Sequence, residues 1–259
     1  MGVLRVVVSG AAGRMGATLA ALASEDPEIE LVGGIDRAAD APGYPRTVAV
    51  DSAAELIRQA DAVVDFSAPA FLRQLLETQA EALRGRALVV GTTGLGADEE
   101  RLLDQVAGAS PVLTAANFSV GVNLLVALAE RAARVLGVEY DVEIVEAHHR
   151  RKEDAPSGTA LALGAAVAEG RGVDLAAVRR DGRSGRPGPR PEGEIGFHSL
   201  RGGSLVGEHE VLFLGGRDRI ELAHRASDRG LFAAGALRAA RWLAGRPAGR
   251  YQMRDVLGL

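Results

Sequence analysis

Residues 3–24 read VLRVVVSGAAGRMGATLAALAS. The run at 3–9 is β-branched and apolar, long enough for a buried strand and too short for a helix. It enters glycines at 10, 13 and 16 and then a helical pattern from residue 17. The second glycine of the usual G-x-G-x-x-G is replaced by Ala12. The physical requirement is still met: a tight turn, close backbone approach to a pyrophosphate, and a helix N-terminus facing it. A second strand is expected over 29–35. It delivers Asp36, 20 residues past Gly16, where an acid accepts hydrogen bonds from an adenosine ribose. Arg37 comes next, and an arginine there accommodates the extra phosphate of NADPH, so both NADH and NADPH stay open.

The alternation continues outward from this unit. Strands are expected at 62–66, 87–91 and 111–114, with helices at 69–83 and 98–106 between them. Strands alternating with helices give a parallel, doubly wound α/β sheet that binds ligands at the carboxyl ends of its strands. The Gly10 loop, the Gly91-Thr92-Thr93-Gly94 turn and the Ala115–Phe118 turn all fall at such ends. Taken alone, Gly-Thr-Thr-Gly also reads as an ordinary strand-to-helix loop. After a long amphipathic helix at 120–136 the pattern changes. Residues 141–146 alternate as a strand, and 194–200, 204–214 and 218–226 are strand-like runs joined by glycine-containing turns. These predict an antiparallel meander in a second, α+β domain with an open mixed or antiparallel sheet. The final helix, at 229–243, is long enough to pack back on the first domain. The expected domains are therefore 1–119 with 229–259, and 120–228.

The chemistry concentrates at 146–160, EAHHRRKEDAPSGTA. His148 and His149 are adjacent, and Lys152 is the only lysine among the 30 lysine and arginine residues. Arginine stays protonated at any working pH, whereas a lysine can be tuned and can donate a proton. Pro156 and Ser157 ahead of an Ala/Leu run signal a helix start. The first turn of that helix offers unpaired N–H groups and a partial positive charge to an anion. Gly158 allows close backbone approach, and Thr159 adds a hydroxyl. Such a segment suits a small carboxylate or phosphate held beside a proton donor. An ordinary capped helix with a leftover lysine is the plainer alternative.

Composition bounds the rest. The net charge of −4 gives no basic field for nucleic acid. Residues 179–193 hold five arginines (179, 180, 183, 186, 190) but no aromatic side chain to stack bases, so they read as a solvated loop. Without cysteine there are no disulfides, thiolate metal sites or cysteine nucleophiles. His198, His209 and His224 are not spaced as metal ligands and read as structural or interfacial. No apolar run approaches the ~18 residues of a membrane span, and the short stretch ahead of the first glycine turn leads us to expect no signal peptide. The expectation is a soluble, cytoplasmic protein, oligomeric because the open second sheet needs covering.

Several motifs together resemble bacterial dihydrodipicolinate reductases of the diaminopimelate/lysine route. They are GAAGRMG at 10–16, GTTG at 91–94, AANFSVGVN at 115–123, EAHHRRKEDAPSGTA at 146–160, RGGSLVGEH at 201–209 and FAAGALRAARWL at 232–243. The resemblance implies a Rossmann-like cofactor domain, an inserted substrate and tetramerisation domain, and NAD(P)H-dependent reduction of a cyclic dicarboxylate by a homotetramer. Carried over by position, His148 resembles the acid/base and Lys152 the proton donor, while His149, Gly158 and Thr159 resemble substrate contacts. Gly10, Ala11, Ala12, Gly13, Arg14 and Met15 resemble cofactor contacts, as do Gly91, Thr92, Thr93, Ala115, Ala116, Asn117 and Phe118. Asp36 and Arg37 match the ribose discriminators.

Two other readings stand beside this one. The first is another nicotinamide-dependent amino-acid or imine dehydrogenase on the same scaffold. A short-chain dehydrogenase is excluded, because its Tyr-x-x-x-Lys would need a tyrosine where His148 precedes Lys152. The second is a dinucleotide sensor without turnover, for which an intact His148/Lys152 pair has no purpose.

Overall fold

The computed structural model describes residues 2–37 and 40–259. Two compact units emerge: Met1–Val120 with Gly230–Gly258, and Gly121–Arg229 with Leu259. No helix of the described residues is long and apolar enough to cross a membrane.

In the first unit β1 (Leu4–Ser9), α1 (Arg14–Glu25), β2 (Ile29–Ile35) and β3 (Thr47–Val48) come first. They are followed by α2 (Ala54–Arg58), β4 (Ala62–Asp65), α3 (Pro69–Leu83), β5 (Ala87–Val90), α4 (Ala97–Ala107) and β6 (Pro111–Thr114). The strands are apolar on both faces because both faces are covered. Val6 and Val8 of β1 enter one core with Leu19, while Val7 enters the other with Leu72 and Leu88. Pairing is parallel throughout. The alternation therefore aims every strand's carboxyl end at one edge, where the predicted glycine turns lie.

The second unit contains most of α5 (Val120–Leu136), then β7 (Asp141–His148), α6 (Gly158–Arg171), α7 (Leu175–Val178), β8 (Arg179–Asp181), β9 (Ile195–Arg201), β10 (Glu208–Leu214) and β11 (Arg219–Arg225). Its sheet runs β11-β10-β7-β9-β8, mixed in direction. The antiparallel meander holds only for the β10–β11 hairpin. β9 pairs in parallel with β7, which sits between β9 and β10. The connection at 202–207 directs its backbone groups to the chain beyond β7. Gly202 N–H donates to His148 O at 3.0 Å, and His149 N–H donates to Leu205 O at 2.9 Å. A tight β9–β10 turn would leave those groups unpaired.

Residues 179–193 are largely exposed, as expected of a solvated loop, yet the segment is anchored. They begin as β8, and Arg183 and Arg190 both reach the Glu143 carboxylate, at 2.9 and 3.0 Å, on the sheet face away from α6. His198 joins them at 2.7 Å. Burial raises the proton affinity of Glu143, but these donors override it and hold the carboxyl down at about 2.

The chain then returns to the first unit. α8 (Gly230–Leu243) lays Ala233, Ala236, Leu237, Ala240 and Leu243 into the core with Val6 and Val64. It is not the last helix: β12 (Gly249–Tyr251) and α9 (Met253–Leu257) follow. β12 extends the sheet beyond β6, completing the order β12-β6-β5-β4-β1-β2-β3. Its three residues are too few for a strand period to register in the sequence.

Candidate active site

In the first unit, the turn after β1 is shaped by contacts that only glycine permits. Gly10 has φ +80°, and a Cβ there would stand 2.4 Å from Phe66 O. At Gly16 a Cβ would stand 2.3 Å from Ala11 O, so α1 starts hard against the turn. Gly13 caps α1 without a side-chain acceptor, and the first turn carries no acid. Its N–H groups and the positive end of its dipole thus suit a pyrophosphate. Ala12, Gly13 and Arg14 are exposed, Met15 is half-buried and Ala11 is buried. Asp36 closes the cradle: its Oδ2 accepts the Ala12 N–H at 2.9 Å and its Oδ1 the Arg37 N–H at 2.7 Å. The Arg37 guanidinium lies 6.0 Å from the Phe71 ring centroid. These residues fit a dinucleotide.

The other two turns divide into exposed and supporting residues. Thr93 and Ala116 are exposed; Gly91, Ala115 and Asn117 are half-buried. Thr92 and Phe118 are buried. Thr92 Oγ1 donates to Asp65 Oδ2 at 2.5 Å and accepts the Ser67 N–H at 3.0 Å. Phe118 packs on Phe66, ring centroids 5.5 Å apart. Both side chains support the cradle from behind, leaving backbone as the contact they offer a cofactor. A Cβ on Gly91 would meet the Phe66 ring at 2.3 Å, so its missing side chain serves packing.

In the second unit, alternation along β7 puts Glu146 and His148 on the α6 face. Glu146 is almost fully buried, and His148 Nδ1 lies 2.6 Å from its Oε2. Arg201, paired with His148 in register, clamps Glu146 through Nη1 and Nη2, both at 2.7 Å. Burial raises the proton affinity of Glu146, but hydrogen bonds from Arg201, Ser199 and His148 override it and set its carboxyl at about 2. His148 is shifted down by burial, a shift the bond to Glu146 opposes.

His149 keeps a buried Nδ1 with no hydrogen-bond partner among the described residues. Lys152 Nζ pairs with Asp154 at 2.8 Å. Ser157 is the N-cap of α6, accepting the Ala160 N–H at 3.2 Å. A Cβ on Gly158 would meet nothing within 4 Å, so the space over the first turn is open. Thr159, half-buried, follows in that turn. Of the sequence-predicted residues, Gly158 and Thr159 form the first turn of α6 and His148 is tied to its N-cap through Glu146, while Lys152 pairs with Asp154 in the segment before it.

Three residues at this site had no assigned part in it. Glu146 was legible as the i−2 neighbour of His148 on a strand. Arg201 and His209 needed the register. His209 has the structural role expected of it: it is buried, its Nε2 lies 2.9 Å from Ser157 Oγ, and its ring stands edge-on to His148 at 5.1 Å.

Residues 4–118 match the family described as dihydrodipicolinate reductase, N-terminus, and residues 121–257 its C-terminus. This chain belongs to the dihydrodipicolinate reductase family. The 4-hydroxy-tetrahydrodipicolinate reductase of Alkalilimnicola ehrlichii is 49% identical over 98% of this chain and 99% of its own length. That of Acinetobacter baumannii is 46% identical over 98% and 96%. Among solved structures, a dipicolinate-bound dihydrodipicolinate reductase from Paenisporosarcina sp. TG-14 has the same fold, with TM-score 0.76 at 23% identity over 98% and 99% of the two chains. A diaminopimelate dehydrogenase of C. glutamicum shares the fold more loosely, with TM-score 0.58 at 14% identity over 98% and 93%. The dihydrodipicolinate reductase family thus accounts for both units of the chain and for the motif order along it.

Proposed function

We propose that this chain reduces 4-hydroxy-tetrahydrodipicolinate to tetrahydrodipicolinate with NADH or NADPH, in diaminopimelate and lysine biosynthesis. The observation that carries the reading is the buried Glu146 carboxylate, which joins His148 to the N-cap of α6 in a chain of this family. The first unit is the dinucleotide-binding domain and the second binds the substrate. When bound, the reduced nicotinamide supplies the hydride.

The chain's own residues supply the rest. The Ser157–Thr159 turn and Lys152 provide two cationic or N–H-rich positions for a ring bearing two carboxylates. His149, whose buried Nδ1 has no hydrogen-bond partner among the described residues, is assigned to substrate binding with Gly158 and Thr159. His148 acts as acid/base and Lys152 as proton donor, meeting the negative charge that develops on the reduced system. Such positioned proton transfer contributes roughly 10²–10⁴ in rate.

The assembly is a homotetramer in the cytoplasm. Support for the oligomer comes from the sheet face away from α6, where Leu200 is 57% exposed and Leu212 and Leu214 are half-buried. The lack of cysteine suits a reducing compartment. Sedimentation at about four chain masses is the expected result.

The deciding experiment is a coupled assay. The condensation product of aspartate semialdehyde and pyruvate is generated in place, and loss of reduced-nicotinamide absorbance is followed with NADH and NADPH separately. Oxidation dependent on that product is expected. Oxidation that instead depends on an open-chain keto or imino acid would replace this reading by the amino-acid dehydrogenase one.

A further inference from the structure

The Glu146 carboxylate stands at the centre of the contacts that hold His148. Its Oε2 lies 2.6 Å from His148 Nδ1, Arg201 grips both its oxygens, and its Oε1 accepts the Ser157 N–H at 3.2 Å. Arg201 Nη2 also donates to Asp154 O at 2.7 Å, next to the partner of Lys152. Glu146 therefore fixes the imidazole and the N-cap of α6, and the arginine it pairs with reaches the segment carrying the lysine.

We infer that Glu146 is the positioning residue of the reaction: it holds His148 in the Nδ1–H tautomer, so that Nε2 is the atom that exchanges a proton with the substrate. The inference rests on the assignment of His148 as acid/base. With Arg201 donating to both carboxylate oxygens, the carboxylate is an acceptor only, and the shared proton must sit on Nδ1. In neutral His148, Nε2 then carries a lone pair. In the imidazolium, Nε2–H is the free donor and Glu146 stabilises the charge. Gly207 keeps that nitrogen clear, since a Cβ there would stand 3.0 Å from Nε2.

Glu146→Gln tests this sharply. Arg201 and the Ser157 N–H both demand an acceptor at Oε1, which turns the amide NH₂ toward His148. A donor facing Nδ1 favours the opposite tautomer, the fault that disables a triad histidine whose aspartate becomes asparagine.

The first measurement needs no variant. The long-range 1H–15N spectrum of the labelled wild-type protein, with His148 assigned by comparison with His148→Gln, should show Nδ1 protonated and Nε2 bare in the neutral form. A protonated Nε2 overturns the proposal. In Glu146→Gln the pattern should reverse. Its kcat should fall by about 10²-fold or more, while NADH affinity, read by fluorescence titration, stays within about twofold. The alkaline limb of the kcat/KM profile should move to lower pH, because the charge that favours protonated His148 is gone. Unchanged kcat and pH limb in a folded Glu146→Gln also overturn it. Full activity in His148→Gln would instead remove the acid/base assignment, an outcome the tautomer spectrum keeps separate.

Discussion

Ser9 Oγ donates to Asp65 Oδ1 at 2.6 Å, joining the carboxyl end of β1 to that of β4. Ser67 Oγ donates to the same oxygen at 2.7 Å and Thr92 Oγ1 to the other. Asp65 is fully buried, and burial raises its proton affinity against the pull of these three hydroxyls. It is the knot beneath the dinucleotide loops. Asp65→Ala leaves the buried hydroxyls of Ser9 and Thr92, and the half-buried one of Ser67, without this acceptor and is expected to cost about 2–4 kcal/mol in urea unfolding. Loosening of the Gly10 and Gly91 turns should also weaken NADH binding roughly tenfold.

Asp36 is held against the glycine turn by the Ala12 N–H. Asp36→Ala is expected to weaken NADH by about tenfold, the worth of one charge-assisted hydrogen bond. NADPH should lose less, since Arg37 remains. Paired fluorescence titrations check this, and an equal loss for both cofactors would remove the discriminating role.

Lys152→Ala should lower kcat by about 10²–10⁴ while leaving NADH affinity within about twofold, because the lysine belongs to the second unit and its paired partner is Asp154. Near-wild-type turnover in the coupled assay would end its assignment as proton donor.

Acid should destabilise the second unit in two stages. His209 is pushed down to about 4 by burial, with repulsion from His148 adding to it. The unfolded chain takes up this proton near 6.5, so stability falls as pH drops from about 6.5 to 4. Glu146 and Glu143, held at about 2, extend the loss from about 4.5 downward with the same sign. Urea midpoints across pH 7 to 3 should show both stages. His209→Gln should remove about 2–3 kcal/mol of the first stage and leave the second.

The first unit was legible because its signals are local. Residues 3–36 carry strand, glycine turn, helix, strand and acid within one supersecondary unit, and the helix at 69–83 and strand at 111–114 appear where the periodicity put them. The site segment was legible for the same reason, since His148, Lys152 and Ser157 sit on ten consecutive residues. What resisted reading was non-local. Alternation identifies β9 and β10 as strands but cannot say that β7 lies between them, and without that order Arg201 and His209 do not meet Glu146. The arginines at 183 and 190 resemble solvent-facing charge until Glu143 is known to lie beneath them.

The return of α8 and β12 to the first sheet also sets a timetable. When Val120 leaves the ribosome, one face of that sheet is covered only in part, by α1. Ala233, Ala236 and Leu243, which complete the core there, are still to be made. At ~5–20 residues per second the wait is on the order of ten seconds. The inserted unit, contiguous in the chain, can close first, so the nascent protein holds a finished inserted unit and a first unit with an incomplete core until its last helices emerge.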